Sequence, residues 1–66
     1  MRLNKLLQKY RKDKELTLKE LSELTGISDP LLWMMETGHV KDPSFRKVVK
    51  VALVLEIPFG MLVAAD

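Results

Sequence analysis

The residues with the clearest chemical potential lie in one segment near the middle of the chain, Ser28–Gly38, which reads SDPLLWMMETG. It opens on a helix-start pattern and closes on a glycine, yet the five residues between Pro30 and Glu36 are all large and apolar. A short helix packs one face against its neighbours, so no rotation can hide all five side chains against one layer. The segment therefore predicts a surface that binds another molecule, with Asp29 as a hydrogen-bond acceptor beside an apolar patch.

Catalysis is not expected from this chain. It contains one histidine, His39, no cysteine and no glycine-rich phosphate loop, and its carboxylates occur singly on apparent helix surfaces. A bundle of this size also has little room for a ligand pocket of roughly several hundred cubic ångströms. We therefore expect a protein that is not an enzyme and that needs no cofactor, no metal ion and no small-molecule ligand.

Length and composition indicate one small folded domain. A chain of 66 residues with 47% hydrophobic and 30% charged side chains is typical of a globular protein. No segment approaches the roughly 20 apolar residues that cross a bilayer, and the basic N-terminus lacks the apolar stretch of a secretory signal. We therefore expect a cytoplasmic protein with no membrane partner.

The elements that must position the central segment are helices. Leucines and a tyrosine at spacings of three and four predict a first amphipathic helix over about residues 2–14. Thr17 and Glu20 form a capping-box pattern that starts a second helix, and Gly26 ends it. Within that second helix, Leu24 is expected to close the core against the first.

The remaining elements complete an all-α fold. Each later helix has its own start and stop residues, namely Ser28 and Gly38, Ser44 and Ile57-Pro58, and Phe59 and about Ala64. The core face of the fourth helix is predicted to consist of Phe45, Val48, Val49, Ala52, Leu53 and Leu55. Two short helices joined by a tight turn make a helix-turn-helix over about residues 17–37. The predicted fold is a compact five-helix bundle with this central helix-turn-helix, and residues 1–66 form a single domain.

Several short motifs occur at the boundaries of these helices. They are Leu16-Thr17, Glu20-Leu21-Ser22, Gly26-Ile27-Ser28, Glu36 with Gly38, Pro43-Ser44 and Ile57-Pro58-Phe59. Together they resemble the Cro and phage-repressor (Xre-like) family of DNA-binding domains, and the resemblance extends from Leu3 to Leu62. It implies the lambda-repressor-like fold, in which Arg11 and Glu36 would form a partly buried ion pair between the first and third helices.

The resemblance also implies which residues contact DNA. In the family, the first turns of the third helix read base edges, while the second helix and the flanking loops hold phosphates. Carried over by position, the base-facing residues are Asp29, Pro30, Trp33 and Met34. The implied phosphate contacts are Lys19, Ser28, His39 and Lys41. The chain departs from the family because these base-facing side chains replace the usual Gln, Arg, Ser or Lys, and Leu18 stands where a phosphate-binding glutamine is common.

Charge is distributed unevenly along the chain, whose net charge is +2. Residues 1–19 contain seven Lys or Arg against two Asp or Glu, whereas residues 20–36 contain four acids and no Lys or Arg. Affinity for DNA comes mainly from cations that neutralise phosphates, so one copy offers a weak electrostatic footprint. We therefore expect a homodimer. The resemblance to the family and the apolar C-terminus imply an interface that includes Ile57, Pro58, Phe59 and Leu62, together with the loop after the third helix. Self-association through Trp33 is the alternative, and it would block DNA binding.

Two functions follow from these observations. The first is a sequence-specific transcriptional regulator, a small repressor of the phage or mobile-element kind that binds a double-stranded DNA operator as a dimer. Its readout would depend on Asp29, Trp33 and DNA shape. The alternative is a protein-interaction module on the same fold, an antiactivator or antirepressor. In that case Leu31, Trp33 and Met34 would dock on a partner regulator.

Overall fold

A computed structural model describes residues 1–65 and shows five α-helices over that range, without a β-strand. The helices are α1 (Leu3–Asp13), α2 (Leu18–Thr25), α3 (Asp29–Thr37), α4 (Phe45–Leu55) and α5 (Phe59–Ala64). The predicted all-α five-helix bundle is thus confirmed. The last residue of the predicted 1–66 domain lies outside the described residues. Across residues 1–65, no helix combines the length and the hydropathy needed to span a membrane.

Local capping explains where α2 and α3 begin. The Thr17 hydroxyl accepts from the Glu20 N–H at 3.0 Å, and the Glu20 carboxylate accepts from the Thr17 N–H at 2.9 Å. The hydrogen bond from the Thr17 N–H, together with a smaller contribution from the Thr17 side chain, holds the pKa of the Glu20 carboxyl below its usual range. The Ser28 hydroxyl accepts from the Leu31 N–H in the first turn of α3. Both helices end at a glycine in the left-handed region, Gly26 or Gly38, as the sequence predicts.

The core lies where α1 to α4 meet. α1 packs on α3 and α4, and α2 packs on the same two helices. The buried apolar residues of the core come from all four helices and from the two turns that follow α2 and α4. They are Leu6, Leu7, Leu21, Ile27, Leu32, Met35, Val48, Val51, Ala52, Leu55 and Ile57. Within the described chain, α5 contributes no fully buried residue, and Leu62 packs only partly against this core.

The structure corrects the predicted core at five positions. Phe45 and Leu53, which are predicted to be buried, are 75% and 73% exposed, and Val49 is only half-buried and lies outside the core. Val51, by contrast, is buried. The buried stripe of α4 follows positions 48, 51, 52 and 55, and Leu53 points away from it. Leu24 is also exposed rather than in the core, because α2 turns Leu21 and Thr25 inward instead.

The end of α4 corrects a further prediction. Glu56 adopts the left-handed conformation with φ 58°, and its N–H donates to the Leu53 carbonyl. The Ile57 N–H donates to the Ala52 carbonyl at 2.9 Å. This pair of hydrogen bonds is a Schellman motif, which folds the following apolar side chain back onto the helix. Ile57 is therefore buried, and its place among the surface interface residues was wrong.

Candidate nucleic-acid interface

The turn between α2 and α3 is fixed by a buried threonine. The Thr25 hydroxyl donates to the Leu21 carbonyl at 2.8 Å and accepts from the Ile27 N–H at 3.2 Å. Gly26, between them, has φ 74°, a conformation that side-chain-bearing residues rarely adopt. Sequence reasoning missed Thr25. The available clue was a hydroxyl residue directly before the turn glycine, where it can bond to backbone groups on both sides.

The orientation of α3 is set by an ion pair with α1. The Arg11 guanidinium donates to both Glu36 carboxylate oxygens, from Nε at 2.7 Å and from Nη2 at 3.0 Å. Its third nitrogen, Nη1, donates to the Leu16 carbonyl at 2.7 Å. Glu36 is only 5% exposed, and the Asn4 side-chain amide donates to its backbone carbonyl. Arg11 therefore ties together α1, the segment before α2 and the last turn of α3.

The predicted base-facing residues lie on one exposed stripe of α3. Asp29, Pro30, Trp33 and Met34 are exposed, and Thr37 continues the same line one turn later. The side chains between them, Leu32, Met35 and Glu36, are buried. Leu31 is half-buried and packs against the core, so it contributes less to the surface than the sequence suggested. We call these five exposed residues, Asp29, Pro30, Trp33, Met34 and Thr37, the α3 stripe.

His39 extends the α3 stripe beyond the end of the helix. Its ring stacks on the Trp33 indole with centroids 5.0 Å apart and an interplanar angle of 22°. The Thr37 hydroxyl donates to the Trp33 carbonyl at 2.8 Å and lies 2.6 Å from His39 Nδ1. Because a hydroxyl has one hydrogen, this arrangement fits a ring whose Nδ1 carries a hydrogen and donates to Thr37. Trp33 remains 49% exposed, so part of the indole stays open to a ligand.

The four predicted phosphate contacts, Lys19, Ser28, His39 and Lys41, are all exposed. Lys19 and Ser28 are exposed at the starts of α2 and α3. Lys41 is exposed in the loop after α3, where it lines a cleft of about 390 Å³ together with Arg2, Asn4 and Gly38. Arg2 was not among the predicted contacts, because nothing in the sequence indicates that the start of α1 meets this loop. The cleft places two cations beside the C-terminal end of the α3 stripe.

The four carboxylates of residues 20–36 occupy different environments. Glu36 is paired with Arg11, and Glu20 is held in the capping box. Glu23 and Asp29 are exposed, and Asp29 alone belongs to the α3 stripe. Within residues 1–65, no group of three or more His, Cys, Asp or Glu side chains could hold a metal ion.

A separate apolar surface lies between α4 and α5, in the C-terminal part of the chain. Of the predicted interface residues, Pro58 and Phe59 are exposed and Leu62 is half-buried. Phe59 and Leu62 line a cleft of about 420 Å³ together with Phe45 and Val63. Phe45 was missed because its position fits the apolar stripe of α4, and only the packing shows that it lies beyond the core. Phe45 and Phe59 are 75% and 69% exposed.

Comparisons with known proteins identify a family model and a solved structure to which this chain is similar. Residues 7–62 match the family model described as Helix-turn-helix (HTH_3). Among solved structures, the chain is similar to the master regulator for biofilm formation SinR, in a crystal structure of its complex with DNA. The two share 30% sequence identity with a TM-score of 0.80, over 89% of this chain and 97% of that chain. No curated protein gives a significant match.

Proposed function

The chain belongs to the Xre/Cro-like helix-turn-helix family, and from that premise we propose that it is a DNA-binding transcription regulator with the α3 stripe as its reading surface. The observation that carries the proposal is the exposed line of Asp29, Pro30, Trp33 and Met34 directly after the turn. The likeness to SinR, which was crystallised with DNA, supports it. The whole of residues 1–66 would act as one domain, in the cytoplasm.

The reading chemistry we propose differs from amide-based recognition. The Asp29 carboxylate would accept a hydrogen bond from a cytosine amine, and Trp33 and Met34 would contact thymine methyl groups. These contacts discriminate fewer bases than bidentate side chains do, so the sequence-dependent shape of the groove would supply part of the specificity. A single operator base pair opposite Asp29 should therefore dominate the direct readout.

The phosphate contacts we propose come from the two ends of the stripe. Lys19 and Ser28 would hold one backbone, and Lys41, joined by Arg2, would hold the other. His39 Nδ1 is engaged by the Thr37 hydroxyl, so the proposed contact of His39 with a phosphate would come from Nε2. With three lysine or arginine contacts per copy, the logarithm of the binding constant should fall linearly with the logarithm of the salt concentration. The slope should be about −3 for one copy and about −5 for two.

The small number of cations per copy favours a homodimer, as in small phage- or mobile-element-type repressors. We propose that two copies join through the cleft lined by Phe45, Phe59, Leu62 and Val63, together with the exposed Pro58. Two reading helices would then meet successive major grooves, roughly 34 Å apart. In sedimentation equilibrium, the wild type should exceed the 7.6 kDa chain mass, and Phe59→Glu should return it to that mass.

A protein-interaction module is the second candidate function. It is favoured by one observation, that the α3 stripe combines an acidic side chain with an exposed Trp33 and Met34 and contains no cation. A partner regulator could cover these residues instead of DNA, as an antiactivator or antirepressor would. A transcription regulator should bind duplex DNA, whereas an interaction module should not.

The deciding experiment selects duplexes from a pool of fragmented genomic DNA and measures affinity across a salt series. A regulator should enrich a short common sequence and lose affinity steeply with salt. Trp33→Ala should abolish that enrichment while leaving the helical circular dichroism intact. The matched control is Leu24→Ala, another exposed apolar residue, which should bind as the wild type does. Failure to retain any duplex at low salt would reject DNA binding and leave the interaction module.

A further inference from the structure

A second binding surface lies between the α2–α3 turn and α4. We call it the α4 groove. It has a volume of about 530 Å³ and is lined by residues 25–27 and by Arg46, Lys47, Val49, Lys50 and Leu53. None of the residues proposed above to contact DNA lines it, so it is a surface additional to the α3 stripe.

The α4 side of this groove is amphipathic in its own right. Arg46, Val49, Lys50 and Leu53 are spaced at i, i+3, i+4 and i+7, so they share one face of the helix. That face is distinct from the buried stripe of α4. Leu53 is 73% exposed and has no partner within the core. The groove therefore presents an apolar floor that the described bundle leaves uncovered.

The charged residues that line the groove are all cationic. Its lining contains Arg46, Lys47 and Lys50 but no carboxylate. Across residues 1–65, none of these three cations forms a salt bridge. The Lys50 amine lies near the turn, 3.9 Å from where a Cβ would stand on Gly26. Three cations thus surround the apolar floor.

We propose that the α4 groove binds an acidic amphipathic segment of another protein, in which carboxylates flank leucine- or phenylalanine-like side chains. The carboxylates would pair with Arg46, Lys47 and Lys50, and the apolar side chains would cover Val49 and Leu53. A DNA backbone would satisfy the cations but has no apolar face for Leu53. This combination of charge and apolar surface therefore favours a peptide over a nucleic acid.

The test uses the full chain and a short fluorescein-labelled peptide of Glu with Leu and Phe at helical spacing. Anisotropy should show saturable binding, and amide NMR shifts should concentrate at residues 25–27 and 46–53. The variant Lys50→Gln/Leu53→Ser should weaken binding by about tenfold or more, since it removes one charge pair and one apolar contact. The matched control, Lys12→Gln/Leu24→Ser, makes the same two changes at exposed sites outside the groove and should bind the peptide normally.

Three results would overturn the proposal. They are an absence of peptide binding, an equal loss of affinity in both variants, and equal affinity for a control peptide with Ser at every apolar position. Duplex DNA is measured in parallel with the same proteins. A fourth result would also overturn it: a loss of DNA affinity in the groove variant but not in its control would show that the groove is a phosphate contact instead. Because the peptide assay contains no DNA, its outcome is separable from the fate of the proposed regulator function.

Discussion

Removing Arg11 tests how strongly the position of α3 depends on one side chain. In Arg11→Ala, the Glu36 carboxylate loses both of its donors while its side chain is only 4% accessible, and the Leu16 carbonyl loses a donor at 2.7 Å. Breaking a buried pair by removing one partner costs about 3–5 kcal/mol. The lost bond to Leu16 adds about 1 kcal/mol. The sum is about 4–6 kcal/mol. Because the Arg11 side chain is 12% accessible and the pair is therefore not fully desolvated, we expect the free energy of unfolding to fall by the lower value, about 4 kcal/mol.

That loss is large for a chain of this length. At about 0.05–0.15 kcal/mol per residue, a domain of 66 residues has about 3–10 kcal/mol of stability in total. A loss of about 4 kcal/mol should lower the melting temperature by roughly 15–30 °C. Thermal and urea unfolding followed by circular dichroism at 222 nm would measure it. Lys12→Ala, at the exposed neighbouring position of α1, is the matched control and should change stability little.

The double variant Arg11→Met/Glu36→Met separates the ion pair from simple loss of packing. Replacing both members of a buried pair by apolar side chains is often neutral, so the double variant should unfold within about 1 kcal/mol of the wild type. The reasoning would be refuted if Arg11→Ala were no less stable than Lys12→Ala. It would also be refuted if the double variant lost as much stability as Arg11→Met and Glu36→Met lose separately, added together.

Three other perturbations follow from single features of the fold. Glu56→Gly should raise the free energy of unfolding by about 0.5–1 kcal/mol because glycine favours the left-handed conformation, whereas Glu23→Gly, inside α2, should lower it by a similar amount in the same melts. Glu20→Ala should destabilise the protein at neutral pH. Since the pKa of the Glu20 carboxyl is depressed in the folded protein, this penalty is present above about pH 4.5 and should disappear as the pH falls through the pKa of the folded state. An equal penalty at pH 7 and pH 2 would contradict the capping role. In His39→Ala, the fluorescence of Trp33, the only tryptophan, should shift toward that of a more solvent-exposed indole, because the ring stacked on it is removed; an unchanged emission spectrum would show that the rings separate in solution.

Helix boundaries were predictable because they depend on residues close in sequence. The Thr17–Glu20 capping box, the Ser28 cap and the glycines that end α2 and α3 each act within one turn of their own helix. The buried face of α4 was not predictable in the same way. Apolar residues occupy most positions from Val48 to Leu55, so several stripes have similar hydropathy, and only packing against α1 and α2 selects one.

The candidate site was likewise predictable only in part. The exposed stripe of Asp29, Trp33 and Met34 follows from helical spacing once the buried side is known. The stack of His39 on Trp33 joins a loop to a helix, and its geometry depends on the left-handed turn at Gly38. Thr25 shows a different limit. Hydropathy favours Leu24 for the core, but the Thr25 hydroxyl bonds to the Leu21 carbonyl, which makes its burial possible.

The structure also changes what the acidic composition of residues 20–36 means for the proposed binding of DNA. Counted along the sequence, residues 20–36 carry four negative charges and no positive one. Arg11 neutralises Glu36 at a hydrogen-bonded distance, and Glu20 is oriented toward the start of α2, whose N-terminal dipole favours a negative charge. Asp29 is then the one acid on the α3 stripe itself. In the proposed contact with DNA, a carboxylate at Asp29 would repel phosphates in every sequence, and a cytosine amine that donates to it would offset this repulsion. Its presence would therefore favour specific over non-specific binding.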